Sequence, residues 1–154
     1  MFKKIAKKAV AVIMIVTCVA GMAFGSSAAM SNHYQTVSYS SGSGGVDTSS
    51  YTKTQGTTKN STRPAGVGFN GLAPGAFPAG VKIKFRTLYN GYDIANATYH
   101  SQSDYNNGTI KHGSYTGSYG NMTGISVKMR VYDTSGSYGN TLQARWNFGS
   151  TSSL

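Results

Sequence analysis

Six cationic side chains fall on alternate positions of three short segments: Lys82, Lys84 and Arg86, then Lys128 and Arg130, then Arg145. Alternation is the period of a β-strand, whose successive side chains point to opposite faces. Each cation takes the phase opposite an apolar set, and Tyr132 shares the cationic phase. If the three strands lie in one sheet, its outer face is a plate of positive charge. Such a plate attracts polyanions: an anionic cell-wall polymer, an anionic membrane surface or extracellular nucleic acid, the last without sequence-specific recognition. Tyr132 is placed to stack on a ligand. Asp47, Asp93, Asp104 and Asp133 all read as turn or loop residues, which would leave the plate without an acidic neighbour. The plainer reading is that strand exteriors need solubilising residues and that Lys and Arg fill this need.

Other chemistry finds little support. General acid–base catalysis needs a positioned titratable pair, yet no Glu is present and the aspartates are scattered. His33, His100 and His112 are too far apart for a metal motif of the H-E-x-x-H type. His100 with Asp104, and His112 with Ser114, are pairings expected by chance. There is no G-x-S-x-G elbow. Asp133-Thr-Ser-Gly lacks the spaced carboxylates of a calcium loop. The sequence therefore predicts no catalytic residue, no metal ligand and no cofactor.

The elements that would position the cations are strands. In Gly124–Gly149, Ile125, Val127, Met129 and Val131 alternate with polar residues, and Leu142, Ala144, Trp146 and Phe148 do so again after a turn-rich loop. Val81–Tyr89 repeats the pattern, with Val81, Ile83 and Phe85 facing inward. Asn90–Gly91 is a favoured hairpin turn. Asp93–Ser101 should return antiparallel, packing Ile94, Ala97 and Tyr99. Asp104–Gly108 reads as a turn and Thr109–Tyr115 as a weak strand. Thr116–Met122 (TGSYGNM) is echoed by Ser135–Thr141 (SGSYGNT), which suggests one turn used twice. Pro64–Gly80 holds all three prolines and reads as a loop packed on the body, with a short strand at Val67–Phe69. The fold expected is all-β: a small antiparallel sandwich or open barrel of roughly five to seven strands. Its core would be Ile83, Phe85, Val127, Met129, Val131, Leu142, Trp146 and Phe148.

Ahead of this domain, set at residues 64–154, come two other segments. Residues 1–29 read as a signal peptide: a lysine-rich start, the apolar Ala9–Gly25 and the small exit Ser26–Ala29, cut after Ala29 or Ala28. The rival readings are an uncleaved anchor, for which the apolar run is short, and a lipoprotein signal at Cys18, which lacks the preferred small residue before the cysteine. Residues 30–63 are rich in Ser, Thr and Gly, and read as a partly disordered lead-in with a weak strand at Tyr51–Thr58 and polar alternation at Gln35–Tyr39. Four lysines lie in the leader, so residues 30–154 carry six Lys and four Arg against four Asp. No cysteine remains after Cys18, a usage that suits a Gram-positive exported protein. The eleven tyrosines, many beside Gly or Ser, would suit adaptable binding surface or self-association.

With its signal at Met1–Ala29 and its final Trp-bearing strand at Thr141–Gly149 (TLQARWNFG), the chain resembles small secreted all-β proteins of unknown function from Gram-positive bacteria. That resemblance implies export and a role at the cell surface. The expectation is a secreted, non-catalytic binding protein that meets anionic polymer through its basic face. The alternative is an antimicrobial or toxin-like protein acting on anionic membranes, although no continuous amphipathic helix is evident.

Overall fold

A computed structural model describes residues 30–154, and the signal-peptide reading of residues 1–29, Cys18 included, lies outside the described residues. The chain forms β1 (His33–Tyr39), β2 (Val46–Asp47), β3 (Tyr51–Lys53), β4 (Lys59–Phe69), β5 (Ile83–Tyr89), β6 (Tyr92–Asp93), β7 (Thr98–His100), the short helix α1 (Gln102–Asn106), β8 (Lys111–Ser114), a 3-10 turn at Gly117–Gly120, β9 (Ile125–Asp133) and β10 (Asn140–Asn147). Sheet I has the order β1-β10-β4-β8. Sheet II runs β2-β9-β5-β6, with β3 also on β9 and β7 also on β5. Every pairing is antiparallel. The result is a β-sandwich.

Its core is built from the inward phase of both sheets. Val37, Val67, Phe69, Leu142, Ala144 and Trp146 come from sheet I; Ile83, Phe85, Val127, Met129 and Val131 come from sheet II. All eight core residues expected from alternation are buried. The Asn90–Gly91 turn also forms as expected, with both residues at positive φ (50° and 83°), as a two-residue hairpin between β5 and β6 requires.

Residues 30–63 differ from expectation. They supply β1, β2, β3 and the first half of β4, and the boundary drawn at residue 64 falls inside β4. Apolar content missed them because most of their buried positions, Val37 and Tyr39 apart, are polar side chains held by hydrogen bonds. Asn60 Oδ1 accepts from the Gly113 amide at 2.9 Å, and its amide group donates to Thr87 Oγ1. Ser61 Oγ donates to the Gly149 carbonyl at 2.8 Å, and Thr62 Oγ1 lies 2.6 Å from Thr98 Oγ1. Thr48 sits in the break between β2 and β3, and its hydroxyl accepts from the Met129 amide at 3.1 Å. Pro64 does not end β4: pairing with β8 stops at Thr62, so the strand is locally an edge there, and it still pairs with Ala144 of β10. A register shift follows near Gly66, whose φ of +53° places it in the left-handed region used by bulge glycines.

Two smaller expectations also change. Asp104–Gly108 is not only a turn: Ser101 caps α1 in a capping box with Asp104. Tyr99 faces outward, because Thr98 and His100 take the inward phase and pair with Phe85 and Ile83. The repeated turn, by contrast, is only partly a repeat in structure: the first copy winds into the 3-10 turn, whereas the second is a bend leading into β10. Gly117 and Gly136 hold equivalent places with φ of 52° and 66°. A Cβ on either second glycine would meet a neighbour, Thr57 O at 2.7 Å for Gly120 and Asn70 Nδ2 at 2.4 Å for Gly139. Tyr119 and Tyr138, at equivalent places, both pack on the core.

His100 gives the fold a pH dependence. It is wholly buried, its ring centroid lies 5.4 Å from that of Phe85, and Nε2 lies 3.0 Å from Thr62 Oγ1. Burial, helped by the Lys111 charge, lowers its pKa from 6.5 to about 4. Between those values the unfolded chain binds a proton that the folded chain does not. Stability is therefore full above pH 6.5 and falls as the pH drops towards 4, by about 3 kcal/mol at most. Urea midpoints measured from pH 7 to pH 4 should show this fall, and His100→Gln should remove most of it. His33, also lowered by burial, adds slope of the same sign that this variant leaves in place. An equal slope in wild type and variant would assign the acid sensitivity elsewhere.

Candidate polyanion-binding face

The outer face of sheet II is organised by the pairing of β5 with β9, which sets Lys84 opposite Tyr132, Arg86 opposite Arg130 and Leu88 opposite Lys128. On the other side of β5, β7 sets Tyr99 opposite Lys84. One row across the sheet thus reads Tyr132, Lys84, Tyr99. The Lys84 ammonium lies 5.3 Å from the Tyr132 ring centre and 5.2 Å from that of Tyr99. Both distances are within cation–π range. Polar contact with the Tyr132 phenol, then with that of Tyr99, raises the Lys84 pKa above its ordinary value and keeps the group charged.

Five of the six expected cations share this region: Lys84, Arg86, Lys128 and Arg130 on β5 and β9, and exposed Lys82 just before β5. Arg145 does not. It lies on β10, in sheet I, where its guanidinium sits 5.6 Å from the Tyr34 ring centre and donates to Gln143 Oε1 at 2.6 Å. Alternation gives the phase of a strand and not the sheet it joins, so the sequence could not separate Arg145 from the rest.

The face also has acidic members, contrary to the expectation of a plate without carboxylates. Asp47 on β2 pairs with Arg130 at 2.5 Å, and Asp93 on β6 pairs with Arg86 at 2.5 Å. Both contacts are two-pronged. The hydrogen bond from Arg130 holds the Asp47 carboxyl below its usual range. Asp47 and Asp93 read as loop residues because β2 and β6 have only two residues each, too short to show alternation. Five cations against two carboxylates leave a surplus of three charges. Among the described residues, Lys82, Lys84 and Lys128 have no carboxylate ion pair. The face therefore divides into neutralised Arg–Asp pairs, which fix its edges, and lysines whose charge is uncommitted.

Next to Lys128 the sheet dips into a cleft of about 330 Å³, bounded by Asp47, Ser50, Leu88, Asn90 and Ser126. It offers two hydroxyls, an amide, one cation and the Asp47 carboxylate, whose charge is met by Arg130, over a small apolar floor. A second cleft, of about 590 Å³, is lined by Asn32, Gln55, Asn147 and Thr151 among others, with no charged side chain. Sequence reasoning missed Tyr99 as a face residue, and it missed Tyr92, which is 75% exposed beside the hairpin turn.

The three histidines lie apart, each with its own neighbours. His33 packs against Tyr51, Trp146 and Phe148. His112 meets Ser61 and not Ser114, at 2.9 Å, but Ser61 Oγ is fully buried and also engages Gly149 and Thr151. Asp104 pairs with Lys111 at 2.8 Å, not with His100. Partial burial opposes its ionisation, but hydrogen bonds from Lys111 and Ser101 bring its pKa down to about 2. No family model, no curated protein and no solved structure matches this chain.

Proposed function

We propose that this is a secreted, non-catalytic binding protein that holds an anionic cell-wall polymer across the outer face of sheet II. The observation that carries the reading is the Tyr132–Lys84–Tyr99 row, with Lys82 before it and Lys128 beyond the Arg86–Arg130 row: three lysines without a carboxylate partner among the described residues, one of them set between two aromatic rings. Long-range attraction would come from the charge surplus. Short-range fit would come from the phenol rings and from the hydroxyl-lined cleft beside Lys128, which suits a repeat unit bearing both phosphate and hydroxyl groups.

Retention on immobilised anionic wall polymer, titrated with salt, tests this. A cation near an anionic surface contributes about 1 kcal/mol. Lys84→Gln with Lys128→Gln should therefore weaken retention roughly thirtyfold at low salt, and should flatten the salt dependence. Neither lysine holds a carboxylate, so the thermal midpoint should fall only by what the Lys84–tyrosine contacts contribute, about 5 °C. Unchanged retention would overturn the reading. Anionic liposomes run in parallel separate this from membrane action, which would show as dye leakage.

A further inference from the structure

Three of the four aspartates have a cationic partner: Asp47 with Arg130, Asp93 with Arg86 and Asp104 with Lys111. The fourth, Asp133, is the most buried, 1% exposed, and has no ion pair among the described residues. Its Oδ1 accepts from the Ser135 amide at 3.0 Å, the Ser135 hydroxyl at 2.6 Å and the Gly136 amide at 2.8 Å. Its other oxygen, Oδ2, is buried with no hydrogen-bond partner among the described residues.

It is not alone in this. The Tyr39 hydroxyl and both polar atoms of the Asn140 side chain are buried too and reach no well-formed hydrogen bond among the described residues, although the Tyr39 hydroxyl lies close to both Asp133 and Asn140. Tyr39 and Asn140 face each other across the β1–β10 pair, and Asp133 ends β9 of the opposite sheet. The three side chains therefore meet where the sheets close on each other, under the Gly42–Gly45 loop, which is tied down by the Gly42 amide on the Gly136 carbonyl at 2.8 Å. Burial, followed by the nearby Asp133 charge, pushes the Tyr39 phenol up. The space beside Tyr39 and Asp133 admits about one water-sized sphere. A buried carboxylate without a counter-charge is costly, and such groups are paired or bind metal.

We propose that Asp133, Asn140 and Tyr39 form a binding site for a small hard cation, sodium or calcium, that ties the two sheets and the covering loop together. Asp133 Oδ2 supplies the charge; Asn140 Oδ1 and Tyr39 Oη supply neutral oxygens of the kind such ions take. No three His, Cys, Asp or Glu side chains converge among the described residues, so the donor set has a single charge. Sites with few charged ligands are weak, and calcium sites of extracellular modules fall at about 10⁻⁴–10⁻³ M. Such a site is not legible in the sequence, because Tyr39 and Asp133 are 94 positions apart and the motif around Asp133 has no second carboxylate.

Thermal unfolding of the chelator-treated protein in calcium chloride, sodium chloride and choline chloride at matched ionic strength is the test. The expected result is a rise of about 5 °C in calcium or in sodium relative to choline, and which salt acts identifies the ion. Asp133→Asn should abolish the rise, while Asp93→Asn, at an exposed carboxylate, should keep it. Should Asp133→Asn fail to fold, Tyr39→Phe removes one oxygen and should shrink the rise by half or more. No rise in either salt, a rise that survives Asp133→Asn, or one unchanged by Tyr39→Phe would overturn the proposal and leave a water molecule in the seam.

Discussion

Trp146→Ala should unfold the domain or cost about 3–5 kcal/mol, the range for deleting a large buried aromatic. Trp146 is fully buried at the centre of sheet I, paired with His33 of β1 and Thr62 of β4. The Tyr51 ring meets it edge-on at 5.4 Å from the other sheet, and the His33 ring lies at 5.5 Å. Alanine would leave a cavity that neither neighbouring strand can collapse into without breaking its ladder. The indole N–H has no partner, so the loss should come from volume alone. Trp146→Phe should accordingly cost far less, below about 2 kcal/mol. Urea denaturation followed by tyrosine fluorescence gives both values. A small loss for the alanine variant would mean that the two sheets are not held by this residue.

Lys53→Met should be nearly as damaging, at about 3–5 kcal/mol. Lys53 is fully buried, and its ammonium donates to three backbone carbonyls: Gln55 at 2.6 Å, Gly120 at 2.7 Å and Met122 at 2.8 Å. The Tyr115 ring centre lies 5.2 Å away. These contacts fasten the end of β3 to the 3-10 turn, which carries the first copy of the repeated glycine motif. Methionine matches the length and fills the space, but it leaves three carbonyls without a donor, and unmet buried acceptors cost about 1–3 kcal/mol each. A loss under 1 kcal/mol would mean that water replaces the ammonium at little cost. Arginine should not rescue, since its planar fork needs room that a fully buried lysine site lacks.

Lys53 also shows where reading by alternation stops. It belongs to a three-residue strand, and its charge places it by habit on the surface. What buries it is a set of carbonyls 67 and 69 positions away. The same holds for Asn60, Ser61 and Thr62, which are core residues by partner and not by hydropathy. It holds for Pro64 too: a proline looks fatal to a strand until the neighbour on its amide side is seen to end two residues earlier.

The sequence by itself determined the all-β class, the inward set of Ile83, Phe85, Val127, Met129, Val131, Leu142, Trp146 and Phe148, and the Asn90–Gly91 turn. Those are local matters, set by period two in side-chain direction and by the φ that glycine and asparagine allow. It also put Lys84, Arg86, Lys128, Arg130 and Tyr132 on outward phases. Only the tertiary structure decided which strands share a sheet. That choice moved Arg145 to the opposite sheet, brought Asp47 and Asp93 against the arginines, set Tyr99 beside Lys84, and closed Asp133 against Tyr39 and Asn140. The physical reason is that pairing is a long-range decision: strands far apart in sequence compete for the same edges, and the winner is fixed by how all the buried polar groups find partners at once.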